Sequence, residues 1–181
     1  MMDELYLTRP SLAYAAQIAA CRQEFLDRGE RIDGSSRLED YLDPRSWLAW
    51  LDALSVSETC PDGFVVGTQW LCVRASDDRV VGMVNLRHTL NDYLLNIGGH
   101  IGYSTRPDER TKGYAKAMLG MALKEAAKLG LNNVLITCYR SNEASRRTIL
   151  AWGGVMENEF WYEDEGDFVQ RYWVEVRPDE G

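Results

Sequence analysis

Between residues 99 and 136 the chain changes periodicity three times, and that succession limits what it can fold into. Gly99 to Thr105 alternates around Ile101 and Tyr103 and is broken by Pro107, the pattern of a strand. Ala115, Met118, Leu119, Ala122, Leu123, Ala126 and Leu129 then recur on one helical face, with Lys116, Lys124 and Lys128 opposite and Gly130 as the stop. Val134-Leu135-Ile136 follows as an unbroken apolar run, the mark of a strand covered on both faces. A strand, helix, strand unit of this kind implies a parallel pair joined by a right-handed crossover.

The six residues that open the helix, Arg110-Thr111-Lys112-Gly113-Tyr114-Ala115, read as an anion cradle. A tight turn leading into a helix presents unpaired backbone N–H groups and the positive end of the macrodipole, which together hold a phosphate or pyrophosphate. Gly113 lets a ligand approach the backbone, small Ala115 nearly so, and Arg110 and Lys112 add charge. The plainer reading of the same string is an ordinary helix N-terminus carrying two solvated basic residues. Two other phosphate loops are excluded by spacing. There is no Gly-x-x-x-x-Gly-Lys-Ser/Thr, and no Gly-x-Gly-x-x-Gly follows a strand.

Around this unit the chain reads as a strand at residues 5–8, a helix from Pro10 to Gly29, and a polar stretch from Glu30 to Asp43 that is silent as chemistry. A second helix opens at Pro44 with Trp47, Leu48, Leu51 and Leu54, and a hairpin pairs Thr68 to Ala75 with Val80 to Leu86. Ser141 and Asn142 cap a last helix running to about Trp152, and strands at Val155 to Tyr162 and Val169 to Val176 close the chain. The order is strand, two helices, three strands, helix, strand, helix, two strands. It predicts an α/β (α+β) fold, a single domain over 1–181, with a mixed central sheet of about six to seven strands flanked by about four helices.

Composition excludes several classes of function. With 181 residues, 45% of them hydrophobic, the chain is sized for one core. A formal charge of −8 argues against a nucleic-acid partner, which needs a basic face. No apolar run approaches a membrane span, and the start Met1-Met2-Asp3-Glu4 is acidic where a secretory signal is basic then apolar. A soluble, cytoplasmic protein without a membrane partner is expected. Cys21, Cys60, Cys72 and Cys138 form no Cys-x-x-Cys pair, so no metal site is expected and the cysteines read as small core residues.

Four blocks give the chain a resemblance to a known family. They are Asn85-Leu86-Arg87-His88 with Leu90-Asn91, Gly98-Gly99-His100-Ile101-Gly102-Tyr103, the cradle itself, and Asn142-Glu143-Ala144-Ser145. As a set, and in the same element order, they resemble the GNAT N-acetyltransferase superfamily, within it the bacterial "predicted acetyltransferase" branch. The superfamily pattern is Arg or Gln, two residues, Gly, one residue, then Gly or Ala, and Arg110, Gly113 and Ala115 fill it.

The resemblance implies a sheet splayed between its fourth and fifth strands at a β-bulge. It also implies acetyl-coenzyme A as acyl donor, its pyrophosphate on the backbone of Arg110, Thr111, Lys112, Gly113, Tyr114 and Ala115, and its pantetheine arm paired with Tyr103, Ser104 and Thr105 as an added strand. Asn142 matches the family's side-chain contact to that arm, with Ser145 beside it. Exposed late strands in this fold pair between subunits, so a homodimer is expected.

The reaction implied is acetyl transfer to a primary amine, small molecule or protein, by direct attack on the thioester, with acceptor contacts from Asn85, Arg87 and His88. An ammonium must lose a proton before it attacks. His100, beside the expected thioester and with an ordinary pKa of about 6.5, is the candidate base; the alternative is a hydrogen-bonded structural histidine turned away from the ligand. Many members carry a tyrosine seven residues after the asparagine as acid toward the departing thiolate, and here that position is Ile149. Tyr139 is the replacement candidate, its alternative being simple packing. With the usual acid missing, a non-catalytic acyl-coenzyme A sensor stays open, as does a hydroxyl acceptor.

Overall fold

The computed structural model describes residues 3–176, so Met1 and Met2 and the far end of the 1–181 span lie outside the described residues. β1 (Leu5–Thr8) leads through a 3-10 turn into α1 (Ala15–Asp27), and α2 spans Pro44–Ala53. β2 (Gly67–Arg74), β3 (Arg79–Arg87) and β4 (Ile101–Thr105) follow, then α3 (Tyr114–Lys128), β5 (Asn133–Tyr139), α4 (Glu143–Ala151), β6 (Val155–Tyr162) and β7 (Asp167–Glu175). Local chemistry sets the boundaries. Asp43 caps α2 by accepting from Arg45 N–H, with Pro44 in the first turn where its missing donor costs nothing. Asn142 caps α4 by accepting from Ser145 N–H.

The strands form two antiparallel sheets, β1-β2-β3-β4 and β5-β7-β6. The sheet expected from sequence has seven strands among the described residues, and it parts between β4 and β5. The expected bulge at the parting is not what opens it. The β3–β4 ladder keeps one register from Gly82↔Thr105 to Leu86↔Ile101. Instead Gly99, at φ +65°, and His100 turn the chain at the root of the split, where His100 N–H donates to Leu135 O at 2.7 Å. The crossover pair thus touches at its base, and no ladder joins β4 to β5 among the described residues.

α3 lies on one face of the first sheet and ties the halves together. Leu119, Ala122, Leu123 and Ala126 pack with Val84, Leu86 and Ile101 from the first sheet and Val134, Ile136 and Val174 from the second. On the opposite face, α1 and α2 bury Ile18, Cys21, Phe25 and Trp47 against Leu71, Val73, Val80 and Met83. Trp47 is fully buried core; its truncation would cost about 3 to 5 kcal/mol. No described helix is long and apolar enough to cross a membrane.

Candidate active site

The cradle is built on one buried carboxylate. Glu109 closes a short 3-10 turn after β4 and receives Arg74 at 2.8 Å, Arg79 at 2.6 Å and Lys112 at 2.7 Å. Burial alone would raise its pKa, but these charged donors outweigh it and hold it at about 2. Above this anchor the backbone takes left-handed conformations at Thr111 (φ +66°) and Gly113 (φ +83°) before α3 begins. None of the N–H groups of residues 110–116 finds an acceptor among the described residues. That is a row of orphaned donors at the positive end of a helix.

The side chains of the cradle do other work. Lys112 is spent on Glu109, and Arg110 pairs with Glu30 at the surface, its guanidinium 5.6 Å from the Phe25 ring centre. Tyr114 is 2% exposed and runs beneath the turn to Arg74 and Asp3. What the turn leaves open to a ligand is therefore its backbone. The exposed Arg110–Glu30 pair contributes little to stability and is free to exchange partners.

β4 offers an open edge beside the cradle. Arg87 N–H donates to His100 O and Arg106 N–H to Val81 O, so the even-numbered residues of this stretch face β3. Ile101, Tyr103 and Thr105 consequently turn their N–H and C=O toward the split. Ser104, expected to pair with the arm, has its backbone toward β3, and its buried hydroxyl has no partner among the described residues. The Tyr103 hydroxyl crosses to α4, 2.8 Å from Ser145 Oγ. Asn142, exposed beside it, uses Oδ1 as the cap and keeps its amide nitrogen unengaged.

On the other face of β4 sits a polar cluster. Asn85, Arg87, His100 and Gly102 share that face through their cross-strand pairing, and the loop between α1 and α2 covers it. Gln69 donates to Gly34 O (2.7 Å) and Val84 O (3.1 Å), Ser36 donates to Gln69, and Asn85 donates to Ser36 at 3.0 Å. Gly34, at φ +70°, lies so close to β4 that a Cβ there would sit 2.2 Å from Gly102 O. A Cβ on Gly102 would in turn lie 3.1 Å from Gly34 N and 3.2 Å from Arg87 Nη2. The contact sets Asp33 at the lip of the cleft beside Arg87.

Arg87 is half-buried and its Nη1 donates to Gly98 O (3.0 Å) and Gly99 O (3.4 Å), at the end of a π-helical turn over Leu94–Gly98. Among the described residues no carboxylate pairs with it, and its Nε and Nη2 have no acceptor. Burial lowers its pKa. Asp33, its side chain 56% exposed, has its pKa raised by partial desolvation, against the pull of Arg31 and Arg87. Arg31 bridges from Asp33 (3.8 Å) to Glu165 (2.5 Å) on the β6–β7 turn, spanning the cleft. Tyr139 sits under that bridge; burial, with Glu165 nearby, raises its pKa to about 12, and its hydroxyl is unengaged among the described residues.

His100 lies within this cluster, 6% exposed, its ring 6.3 Å from that of Trp173. Its Nδ1 accepts the Leu135 N–H at 2.9 Å, so the one lone pair of the neutral ring is already in use. Burial and then Arg87 lower its pKa to about 4. The ring expected from sequence as a base is held neutral, as a backbone acceptor. His88 falls on the opposite face of β3 from Arg87, its Nε2 2.8 Å from Thr68 Oγ1. Ile149 is fully buried in the core. Asp33, Gly34, Ser36 and Gln69 were not singled out from sequence; the Gly34-Ser35-Ser36 run was the one visible trace of them.

A family model described as acetyltransferase (GNAT) domain matches residues 6–155. No curated protein sequence matches the chain. Among solved structures, the ribosomal-protein-S5-alanine acetyltransferase of Vibrio fischeri superposes with a TM-score of 0.71 at 15% identity, covering 99% of this chain and 96% of that one. The microcin C7 self immunity acetyltransferase, in complex with acetyl-CoA and AMP, gives 0.68 at 15% identity over 96% and 93% of the two chains. The spermidine/spermine N-acetyltransferase of Vibrio cholerae gives 0.62 at 15% identity over 95% of each. At such identities the likeness is one of fold.

Proposed function

Given that the chain belongs to the GNAT acetyltransferase family, we propose that it is an acetyl-coenzyme A dependent N-acetyltransferase acting on a primary amine. The observation that carries this reading is the row of acceptorless N–H groups at residues 110–116, next to a β4 edge whose Ile101, Tyr103 and Thr105 groups face an open split. A pyrophosphate fits the first. A pantetheine arm, with its two amides, fits the second as an added strand, and the Asn142 amide nitrogen is available to it.

The donor supplies a thioester carbonyl. The amine nitrogen attacks that carbon, the C–N bond forms, the C–S bond breaks, and the sulfur leaves as thiolate. Two protons must move, one off the ammonium and one onto the thiolate. Asp33 is assigned the first task, since its exposed carboxylate stands beside Arg31 and its pKa is shifted upward. Tyr139 suits the second, since a hydroxyl with a pKa of about 12 stays protonated at neutral pH. His100 holds the two sheets at the root of the split, where the thioester would lie, and keeps the Leu135 backbone satisfied.

A second reading, a sensor that binds acyl-coenzyme A without turnover, is favoured by one observation. Ile149, at the family's usual acid position, is fully buried in the core. Release of free coenzyme A that depends on added amine separates the two. An enzyme shows it with at least one member of an amine panel; a sensor binds the thioester and stays inert across the panel.

A further inference from the structure

Among the described residues Arg87 is the one guanidinium of the cleft cluster with no carboxylate in ion-pair contact, since Arg31 in the same cleft is spent on Asp33 and Glu165. Arg87 is half-buried, and its Nε and Nη2 stay open to solvent; a partly desolvated guanidinium with a free face gains from a ligand that supplies the opposite charge. Two carbonyls, Gly98 O and Gly99 O, orient its Nη1. That leaves the rest of the planar fork for a group that accepts two parallel hydrogen bonds, which is the geometry of a carboxylate. The fork is also fixed in place relative to the reaction centre. Arg87 Nη2 and Gly34 N both lie within 3.2 Å of the point where a Cβ of Gly102 would be. Asp33, one residue before Gly34, is therefore within a small molecule's length of the guanidinium, and the two meet β4 at Gly102, two residues beyond its His100 root.

We propose that the acceptor is an amine bearing a carboxylate close to its nitrogen, an α-amino-acid-like zwitterion, with the carboxylate on Arg87 and the ammonium toward Asp33. The inference rests on the acetyltransferase reading above and names the substrate class of that same site. The opposed charges at the lip match a zwitterion in both sign and order. A polycation would meet Arg87 and Arg31 as like charges. A plain monoamine would leave the open fork of Arg87 without an anion.

The test compares amino acids with their decarboxylated amines, pair by pair, so that only the carboxylate changes within a pair. Acetyl-coenzyme A turnover is followed as free thiol release, and binding to the coenzyme A-saturated protein is followed by calorimetry. The amino acid should be preferred in kcat/KM, or in Kd, by about tenfold or more, the worth of one charge-assisted pair. In Arg87→Met the ratio should fall toward one. Arg87→Lys, which keeps the charge and loses the fork, should retain only part of it. The wild-type comparison needs no variant to fold.

Equal or better use of the decarboxylated amine, or no binding by either member of any pair, overturns the proposal. Amines acetylated without regard to the carboxylate sink this inference alone. Protein that binds no coenzyme A thioester sinks the proposed function and this inference with it.

Discussion

His100 and Leu135 exchange two hydrogen bonds, His100 N–H to Leu135 O at 2.7 Å and Leu135 N–H to the His100 Nδ1 at 2.9 Å. Side chain and backbone of one residue thereby close the point where the two sheets meet. The arrangement needs a neutral imidazole, because protonation at Nδ1 would set a donor against a donor.

The consequence is a pH dependence of stability with a defined sign. The folded pKa of about 4 lies below the unfolded value of about 6.5, so between them the unfolded chain binds more protons. The contribution of the neutral ring, about 3 kcal/mol in all, is complete above pH 6.5 and is lost as pH falls toward 4. Urea midpoints for wild type and His100→Gln should converge across that window. Parallel curves for the two proteins would show that the ring does not titrate with unfolding.

Gly34→Ala should destabilise by about 2 kcal/mol or more and depress turnover further, because its Cβ would meet the Gly102 carbonyl at 2.2 Å in a left-handed conformation. Gly29→Ala is the control. It has a similar φ of +63° with nothing within 4 Å, so only the backbone strain of about 1 kcal/mol remains. Thermal melts of both variants measure the difference, and equal losses would refute the close loop contact.

Much of the fold was legible because it was written in periodicity. The α3 stripe and the Val134-Leu135-Ile136 run are local patterns, and both elements appear where those patterns place them. The split between β4 and β5 was legible only through resemblance, and its cause was not. A register free of bulges and a two-bond clasp between His100 and Leu135, 35 residues apart, leave no local pattern. The acceptor face was the least legible part. Asp33 and Gly34 lie in a polar stretch whose meaning comes from Gln69, Asn85 and Gly102, residues brought to it by tertiary packing. Arg87 and His88 were read together, yet strand alternation sends them to opposite faces.

Tyr139→Phe tests the assignment of the acid. Removing a hydroxyl that protonates the leaving sulfur should lower kcat by about 10², with the Kd for acetyl-coenzyme A unchanged. Because the side chain accepts or donates no hydrogen bond among the described residues, the thermal midpoint should move little. An unchanged kcat would pass the role to water.

Gly113→Glu places a carboxylate among the orphaned donors of residues 110–116. Coenzyme A affinity should fall by about 10² or more, since the helix terminus would be occupied by the protein's own anion. The left-handed φ of +83° adds about 1 kcal/mol of strain, so a melt of the free protein must accompany the titration. Unaltered affinity in a folded variant would move the anion site elsewhere.

The most direct test is a calorimetric titration of the wild-type protein with acetyl-coenzyme A, alongside S-acetylpantetheine, which carries the same thioester and arm but no pyrophosphate. Recognition by the backbone of residues 110–116 requires binding of acetyl-coenzyme A with a Kd on the order of micromolar, and of the truncated thioester about a hundredfold more weakly. No heat with either ligand, or equal affinity for both, would contradict it.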